Sequence, residues 1–315
     1  MTLESAPFHA EVADAPEGTQ AYWIRSADGL RLRAAWFPTA QARGTVLLFP
    51  GRTEYVEKYG RLATDLTGAG YHVVAIDWRG QGLSDRLLRD NHIGHVAKFE
   101  DYQSDITALI NLTQMLDLPG PRVLLAHSMG GCIGLRAVMD GLDVAACAFS
   151  GPMWGIKIPL WLRPIAWGLS YLSGKIGLGH LYAPGTNAEA YPMDVPFEDN
   201  LLTTDPQMFS YMHDQVRAVP ELRIGGPSMN WLFEALREMR ILAARPAPAL
   251  PCFTFCGDNE RIVDVPRIHA RMEHWRNGRL EMIKGGEHEI LMETPAIRAE
   301  VTRQLCAFFD SATHA

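Results

Sequence analysis

The chain has 315 residues, enough for one large α/β domain with an insertion or for two small domains. Its formal net charge of −7 argues against a nucleic-acid partner, because a phosphate backbone selects for basic surfaces. Residues 1–18 lack the basic and apolar regions of a secretory signal, and no stretch reads as a membrane span.

The cysteines are odd in number and dispersed, so they predict no disulfide framework. Two of them share a face of one predicted strand, but no second Cys/His pair accompanies them, and no metal site is predicted. We therefore expect buried free thiols in a reducing cytoplasm. The five are Cys132, Cys147, Cys252, Cys256 and Cys306.

The first part of the chain predicts a loose lead-in over residues 1–18, followed by a β-hairpin. The hairpin strands are QAYWIRS and LRLRAAWFP, joined by an Asp-Gly turn. Buried strands follow at 44–50 and 71–78, with a helix between them at about 54–67. This alternation predicts a mostly parallel sheet with helices on both faces.

The second part continues that alternation and then interrupts it. A helix at about 99–116 leads to an apolar strand at 123–126, and another strand follows at 144–150. Residues 151–245 are rich in proline and aromatic residues but contain no convincing buried strand, and the α/β pattern then resumes. We therefore predict an α/β core formed by residues 1–150 and 246–315, with residues 151–245 inserted as a helical cap.

A serine lies where the strand at 123–126 passes into a helical pattern. Small residues stand two positions before and two after Ser128, at Ala126 and Gly130. This arrangement matches a nucleophile elbow, whose tight turn leaves no room for larger side chains at those positions. The five-residue pattern also occurs by chance, so its significance depends on whether the chain supplies a base and an acid.

The ligand-binding edge of such a sheet lies beyond the carboxyl ends of its strands, so the partners of Ser128 should follow strands. His288 follows a late strand directly and is the predicted base. The turn after the preceding strand offers Asp258 and Glu260 as the acid, and position alone does not choose between them. Asp264 stands where it would cap the next helix.

Stabilising a developing oxyanion requires backbone N–H groups that point toward it. One predicted donor is the N–H of Met129, directly after the nucleophile. The other is the N–H of Arg52, in the loop after the strand at 44–50, where Gly51 allows close backbone approach. Pro-Gly as a plain turn would explain Gly51 equally well.

Four segments resemble the α/β-hydrolase fold, and more narrowly the group of monoacylglycerol lipases and lysophospholipase L2. PGRTEYVEKY resembles the family's oxyanion segment HGxGEHxxRY, DWRGQGLSD its DxRGxGxS turn, and AHSMGG its GHSMGG elbow. GDNERIVD and GGEHEILME resemble its acid and histidine segments, and serine, acid and histidine follow in the family's order.

The resemblance places the acid on Glu260, because the family's GxxDxxV pattern aligns with GDNERIV. Three positions depart from the pattern: Pro50 and Gln81 stand where histidine is usual, and Ala126 replaces the first elbow glycine. None of these changes removes a catalytic atom. The Pro50 change bears on the shape of the oxyanion loop and hence on acyl specificity.

These observations predict a serine hydrolase that cleaves a carboxylic ester through Ser128, His288 and Glu260, with no metal or organic cofactor. The expected substrate is a small-molecule ester with an apolar acyl chain, a lysophospholipid or a monoacylglycerol. The sequence does not determine the oligomeric state and leaves open transient contact of residues 158–173 with a membrane surface.

Three alternatives remain. The same triad serves aminopeptidases of the proline-iminopeptidase type, which would need an acidic cluster to bind the substrate's amino terminus. The cap offers four carboxylates for that purpose: Glu189, Asp194, Glu198 and Asp199. A short-chain carboxylesterase is the second alternative. A non-catalytic binding module is the third, and the complete triad argues against it.

Overall fold

The computed structural model describes residues 3–313, which contain one sheet of nine strands. Across the sheet the strands follow the order β1-β2-β3-β5-β4-β6-β7-β8-β9. The pairings from β1 through β3 to β5 are antiparallel, and those from β5 to β9 are parallel. The strands are β1 (Glu4–Ala6), β2 (Gln20–Arg25), β3 (Arg31–Phe37), β4 (Thr45–Phe49), β5 (His72–Asp77), β6 (Arg122–His127), β7 (Cys147–Ser150), β8 (Cys252–Gly257) and β9 (Gly278–Ile283).

Ten α-helices lie within the same described residues. They are α1 (Ala10–Ala13), α2 (Gly60–Gly68), α3 (Tyr102–Met115), α4 (Ser128–Met139), α5 (Arg163–Lys175), α6 (Tyr191–Asp194), α7 (Pro206–Ala218), α8 (Met229–Ala243), α9 (Val265–Glu273) and α10 (Pro295–Thr313). Among them, none is long and apolar enough to cross a lipid bilayer. The arrangement is the predicted α/β-hydrolase fold.

The core consists of two apolar layers, one on each face of the sheet. Along β4, Leu47 and Phe49 belong to one layer, while Val46 and Leu48 belong to the other. All four are fully buried. Successive strand side chains point to opposite faces, so a strand covered on both sides needs an unbroken apolar run. That is the pattern from which the central strands were predicted.

The central strands β4, β6, β7 and β8 are parallel, so their carboxyl ends meet at one edge of the sheet. The loops after Phe49, His127, Ser150 and Gly257 therefore lie side by side, and the loop after Ile283 joins them. Open α/β sheets bind ligands at this edge. All the residues predicted to act in catalysis follow one of these strands.

The N-terminal lead-in is more ordered than predicted. Residues 4–6 form β1, which pairs with β2 so that Glu4 lies opposite Trp23, and α1 follows. Three residues are too few to produce a recognisable strand pattern, and the pairing is supplied by the edge of the hairpin. Met1 and Thr2 lie outside the described residues.

Between β7 and β8 the chain forms α5, α6, α7 and α8, which agrees with the predicted helical character of residues 151–245. Asp205 caps α7 by accepting a hydrogen bond from Gln207 N–H, and Ser228 caps α8 by accepting one from Trp231 N–H. We call residues 151–245 the helical insertion. Its exact boundaries as a cap stay a prediction.

Candidate active site

Ser128 lies at a strained turn between β6 and α4. Its φ of 49° is in the left-handed region, which side chains other than glycine rarely adopt. Gly130 allows α4 to pack against the end of β4, because a Cβ there would lie 2.1 Å from Phe49 O. The backbone therefore has the geometry of a nucleophile elbow.

A continuous chain of hydrogen bonds links three of the predicted residues. The Nε2 atom of His288 lies 2.9 Å from Ser128 Oγ, and its Nδ1 lies 2.7 Å from Glu260 Oε2. A carboxylate only accepts hydrogen bonds, so Nδ1 carries the proton and Nε2 is left to accept one from the serine hydroxyl. This is the tautomer that a general base needs.

Glu260 is held in place and kept ionised. Its Oε1 accepts hydrogen bonds from the N–H groups of Ile262, at 2.6 Å, and Val263, at 3.1 Å. Burial by itself raises the pKa of Glu260, but His288 and the two N–H groups outweigh it, so the pKa lies below its usual value. The carboxylate is thus available to stabilise an imidazolium at His288.

The other two acids of this turn have different partners. Asp258 accepts a hydrogen bond from Gly285 N–H at 2.7 Å, on the exposed side of the turn. Asp264 stands at the N-cap position of α9, but its side chain makes no capping bond. It binds the guanidinium of Arg163 at 2.8 Å instead, so its predicted capping role is wrong. Glu260, and not Asp258, faces His288.

The two predicted oxyanion donors have free backbone N–H groups. Within residues 3–313, neither Arg52 N–H nor Met129 N–H donates to another protein group. The neighbouring N–H of Gly51 is occupied, because it donates to the Glu54 carboxylate. The loop is shaped by Thr53, whose φ is 64°, which leaves Arg52 in the wall of the cavity above Ser128.

The residues that depart from the family pattern also shape this loop. Gln81 accepts a hydrogen bond from Thr53 N–H, and its side-chain nitrogen lies 3.9 Å from the sulfur of Met129. Pro50 O accepts a hydrogen bond from the indole N–H of Trp78 at 2.8 Å. These contacts hold the loop against the elbow without the two histidines that the family usually has.

Behind Ser128, His288 and Glu260 lies a buried cluster of four ionisable side chains: Glu54, Lys58, His127 and Glu289. Lys58 Nζ donates to Glu54 Oε1 at 2.5 Å and to Glu289 Oε1 at 2.6 Å. His127 donates from Nδ1 to Ser150 O at 2.9 Å, and its Nε2 lies 3.3 Å from Glu289 Oε2. The oxyanion loop, the elbow and the base loop each contribute to this cluster, which therefore ties the three together.

Opposite charges within this cluster stabilise one another. Burial lowers the pKa of His127, but Glu289 and Glu54 outweigh it and raise the pKa above its usual value. His127 and Lys58 in turn hold the pKa of Glu289 well below its usual range, despite its burial. Two carboxylates thus face one ammonium and one imidazole whose protonated form they favour. Glu54, His127 and Glu289 lie close enough to hold a cation, and Lys58, bonded to both carboxylates, supplies that charge.

Sequence reasoning missed Gly151, which follows β7. Its φ is 48°, and a Cβ there would lie 3.0 Å from His288 O and 3.2 Å from His288 Nδ1. Only glycine combines this conformation with such close approach to the base. The available signal was a glycine directly after a predicted parallel strand, at the edge where the site lies.

The contribution of the helical insertion to the base loop was also missed. His288 N–H donates to Leu201 O at 3.4 Å, and Glu289 N–H donates to Leu202 O at 2.8 Å. Thr203 Oγ1 donates to Met292 O at 2.8 Å. These are mostly backbone contacts between segments far apart in sequence, so no residue pattern predicts them.

A cavity of about 280 Å³ opens above Ser128 and His288. Seven of its sixteen lining residues come from the helical insertion, and most of these are apolar, while its polar end lies at the oxyanion loop and the base. The apolar wall is formed by Ala190, Pro192, Leu201, Leu202, Met212, Val216 and Ile262. Its shape and lining suit an acyl chain whose ester lies at the serine.

Comparison with known proteins shows the family and the fold of this chain. Residues 40–295 match the family model described as serine aminopeptidase, S33. Lysophospholipase L2 of Escherichia coli is 34% identical over 300 residues, which cover 90% of this chain and 85% of that protein. The probable lysophospholipase L2 of Haemophilus influenzae is 29% identical, with 87% and 86% covered. The structure of a soluble variant of Saccharomyces cerevisiae monoglyceride lipase, in complex with a substrate analog, superposes with a TM-score of 0.74 at 19% identity, covering 98% of this chain and 99% of that one.

Proposed function

Because this chain belongs to the serine aminopeptidase S33 family and is a serine ester hydrolase with the α/β-hydrolase fold, we propose that it cleaves the ester of a monoacyl lipid through Ser128, His288 and Glu260. The substrate is a lysophospholipid or a monoacylglycerol, the classes named for its relatives. The observation that carries the proposal is the hydrogen-bonded chain from Glu260 through His288 to Ser128, at the polar end of an apolar cavity.

In the first half of the reaction, Ser128 Oγ attacks the ester carbonyl carbon while His288 Nε2 takes its proton. The negative oxygen of the tetrahedral intermediate accepts hydrogen bonds from the N–H groups of Arg52 and Met129. Glu260 stabilises the imidazolium. The bond to the alcohol then breaks, and the leaving oxygen takes the proton from His288, which leaves an acyl-enzyme.

In the second half, water replaces the alcohol. His288 takes a proton from the water as its oxygen attacks the acyl carbon, and the same two N–H groups hold the second oxyanion. Collapse of this intermediate returns the proton to Ser128 Oγ and releases the fatty acid. The buried cluster of Glu54, Lys58, His127 and Glu289 keeps the oxyanion loop, the elbow and the base in register throughout.

The site supports a lipid ester better than a peptide. An aminopeptidase would need carboxylates aimed at the cationic amino terminus of its substrate. The four carboxylates of the helical insertion that were considered for this role are exposed and lie outside the cavity wall. They are Glu189, Asp194, Glu198 and Asp199.

We also propose that the helical insertion contacts lipid assemblies. One face of α5 carries exposed apolar side chains at helical spacing: Ile165, Leu169, Leu172 and, just beyond the helix, Ile176. Trp161, before the helix, is 72% exposed. Residues 144–188 contain no aspartate or glutamate in a chain of net charge −7, and such an apolar surface without acidic groups fits an anionic lipid surface.

The cysteines support the proposed cytoplasmic location. All five are buried and free, as expected for a chain in a reducing compartment.

Labelling with a fluorophosphonate probe tests the mechanism, with wild type compared to Ser128→Ala. We expect labelling only in wild type, and turnover of p-nitrophenyl esters about 10⁶-fold lower in the variant, by analogy with triad knockouts. An ester series from C2 to C16 should show its optimum at a long chain. Near-native turnover by Ser128→Ala would exclude the mechanism, and an optimum at C2 would favour the short-chain carboxylesterase.

A further inference from the structure

Arg52 contributes more to the site than its backbone N–H. Arg52 is one of the residues that line the cavity at Ser128 and His288, and its side chain is partly buried. One Nη1–H donates to Gly225 O at 2.8 Å, and the guanidinium carbon lies 5.6 Å from the centre of the Trp231 ring. A guanidinium has five N–H donors in a rigid fork, and within residues 3–313 this is the one hydrogen bond to a protein acceptor that Arg52 makes.

Three other arginines whose side chains have little exposed surface are paired with carboxylates. Arg33 binds Asp77 and Glu57, Arg79 binds Asp105 and Asp28, and Arg136 binds Glu238. Arg52 has no such partner among the described residues. Nearby, Lys58 is already bonded to the two carboxylates that line the cavity, Glu54 and Glu289.

An arginine without a counter-ion in a partly buried cavity is costly. Removing a charge from water disfavours the charged form, and burial lowers the pKa of Arg52 to about 10, with no nearby carboxylate to offset it. The guanidinium is nevertheless charged at neutral pH. A charged fork with free donors at a ligand cavity is a ready site for a phosphate oxygen, which it can bind in a bidentate manner.

We propose that the Arg52 guanidinium binds the phosphodiester of the substrate head group and thereby selects lysophospholipids over monoacylglycerols. The inference rests on the proposed function. In a lysophospholipid the phosphate lies one glycerol unit from the ester carbonyl. Arg52 holds the oxyanion with its own N–H, and its side chain extends a comparable distance from that N–H. Arg52 thus binds the substrate on both sides of the glycerol unit: its N–H binds the ester oxygen and its guanidinium binds the phosphate.

Two substrates with the same acyl chain and the same ester test this selection: 1-oleoyl-lysophosphatidylglycerol and 1-oleoylglycerol, each in mixed micelles of a neutral detergent. Arg52→Gln should lower kcat/KM for the lysophospholipid about 10- to 100-fold, the range expected for a hydrogen bond to a charged group. The monoacylglycerol has no phosphate to lose contact with, so the ratio of the two kcat/KM values should fall by the same factor of about 10 to 100, whatever general loss the change in the oxyanion loop causes. Arg52→Lys keeps the charge and should recover part of the loss.

The matched control is Arg86→Gln. Arg86 is also partly buried and donates to a backbone carbonyl of the helical insertion, Glu221 O at 3.0 Å, but it does not line the cavity. This variant should leave the ratio of the two substrates unchanged. An equal loss on both substrates in Arg52→Gln would show that Arg52 only supports the loop at Gly225, and would overturn the proposal.

A second measurement separates this inference from the proposed function. Inhibition of p-nitrophenyl acetate hydrolysis is compared for 1-O-alkyl-glycerophosphoethanolamine, the neutral 1-O-alkylglycerol and inorganic phosphate. The phosphodiester ether should inhibit wild type at least tenfold more strongly than it inhibits Arg52→Gln, while the neutral ether should not distinguish them. Equal inhibition of both enzymes by the phosphodiester, or inhibition by inorganic phosphate at the same concentration, would overturn the head-group assignment. The proposed function is tested separately, because it depends on fluorophosphonate labelling of wild type and not of Ser128→Ala, and neither result with Arg52→Gln changes that outcome.

Discussion

The sheet edge that carries the candidate active site and the helical insertion differ in which side chains they bury. The first buries charged groups, and the second exposes apolar ones. At the sheet edge the charged residues are buried and bonded: His288 is 4% exposed and Glu260 6%. Over residues 160–181 of the insertion, large apolar residues face outward: Leu172 is 57% exposed and Trp161 72%. Buried charges are costly unless paired, and exposed apolar surfaces are costly unless covered, so each region carries a feature that stability alone would not favour.

This difference corresponds to two proposed functions, catalysis at the sheet edge and lipid binding at the insertion. Catalysis requires atoms fixed to within fractions of an ångström, which paired and buried groups provide. Binding a lipid requires apolar surface that is free until the substrate arrives. The two regions meet where Leu201 and Leu202 of the insertion accept hydrogen bonds from the base loop. The acyl cavity lies at that junction.

The largest effect within the catalytic region is expected for Glu260→Gln. The amide carries no charge and can present an N–H to Nδ1, which would favour the wrong tautomer of His288. We expect kcat to fall about 10⁴-fold, as for comparable changes in other triads. Steady-state hydrolysis of p-nitrophenyl esters measures the loss.

Asp258→Asn is the matched control, because Asp258 lies in the same turn but contacts Gly285 N–H instead of the base. Its activity should stay within about twofold of wild type, as is usual for a surface substitution. A severe defect in Asp258→Asn with a mild one in Glu260→Gln would reassign the acid.

Lys58→Met tests whether the buried cluster holds the site together. Removing the ammonium leaves Glu54 and Glu289 buried without their shared partner. We expect the free energy of unfolding to fall by about 3–5 kcal/mol, measured by urea denaturation. Lys284→Met, at an exposed position, should cost less than about 0.5 kcal/mol. A cluster that contributes nothing would give equal values for the two variants.

The same variant should reverse the pH dependence of stability that the cluster produces. In wild type the pKa of Glu289 is lowered, so its contribution is present above about pH 4.3, the unfolded value, and is lost as the pH falls further. Without Lys58, two buried like charges raise the pKa of one carboxyl, which then favours the folded state on protonation. Lys58→Met should therefore lose less stability at pH 5 than at pH 8.

The predicted fold is confirmed, and the central strands, Ser128 and His288 each have a local signal in the sequence. β4 and β6 are unbroken apolar runs, Ser128 has small residues on both sides, and His288 follows a strand. Glu260 needed more than position, since Asp258 fits the turn equally well. The family pattern selected Glu260, and the structure places its carboxylate 2.7 Å from His288 Nδ1.

What the sequence could not predict depends on contacts between distant segments. Glu54, Lys58, His127 and Glu289 belong to three loops, and their shared cluster appears only after the sheet brings the loops together. Asp264 looks like a helix cap from its neighbours, but Arg163, far away in sequence, takes its carboxylate. Burial and pairing of charges are tertiary properties, and hydrophobic periodicity does not encode them.

Gly151→Ala should separate catalysis from folding at the sheet edge. A left-handed conformation costs a residue with a Cβ about 1–2 kcal/mol, and the new methyl group would push on His288. Because small displacements of a catalytic base are expensive, we expect kcat to fall about 100-fold. Gly141→Ala places a Cβ at another positive φ, 93°, but in open space, so it should lower stability without the kinetic loss.

The smallest effect on the chemistry is expected for the exposed face of α5. Leu172→Glu replaces an exposed apolar side chain by a charge, so hydrolysis of p-nitrophenyl acetate should stay within about twofold of wild type. Binding to phosphatidylglycerol vesicles, measured by co-sedimentation, should weaken about tenfold, because burial of one leucine side chain is lost and a like charge is added. Met115→Glu makes the same change at an exposed apolar residue outside the insertion, at the end of α3. If both variants lost vesicle binding equally, the effect would come from net charge, and α5 would not be the lipid-facing surface.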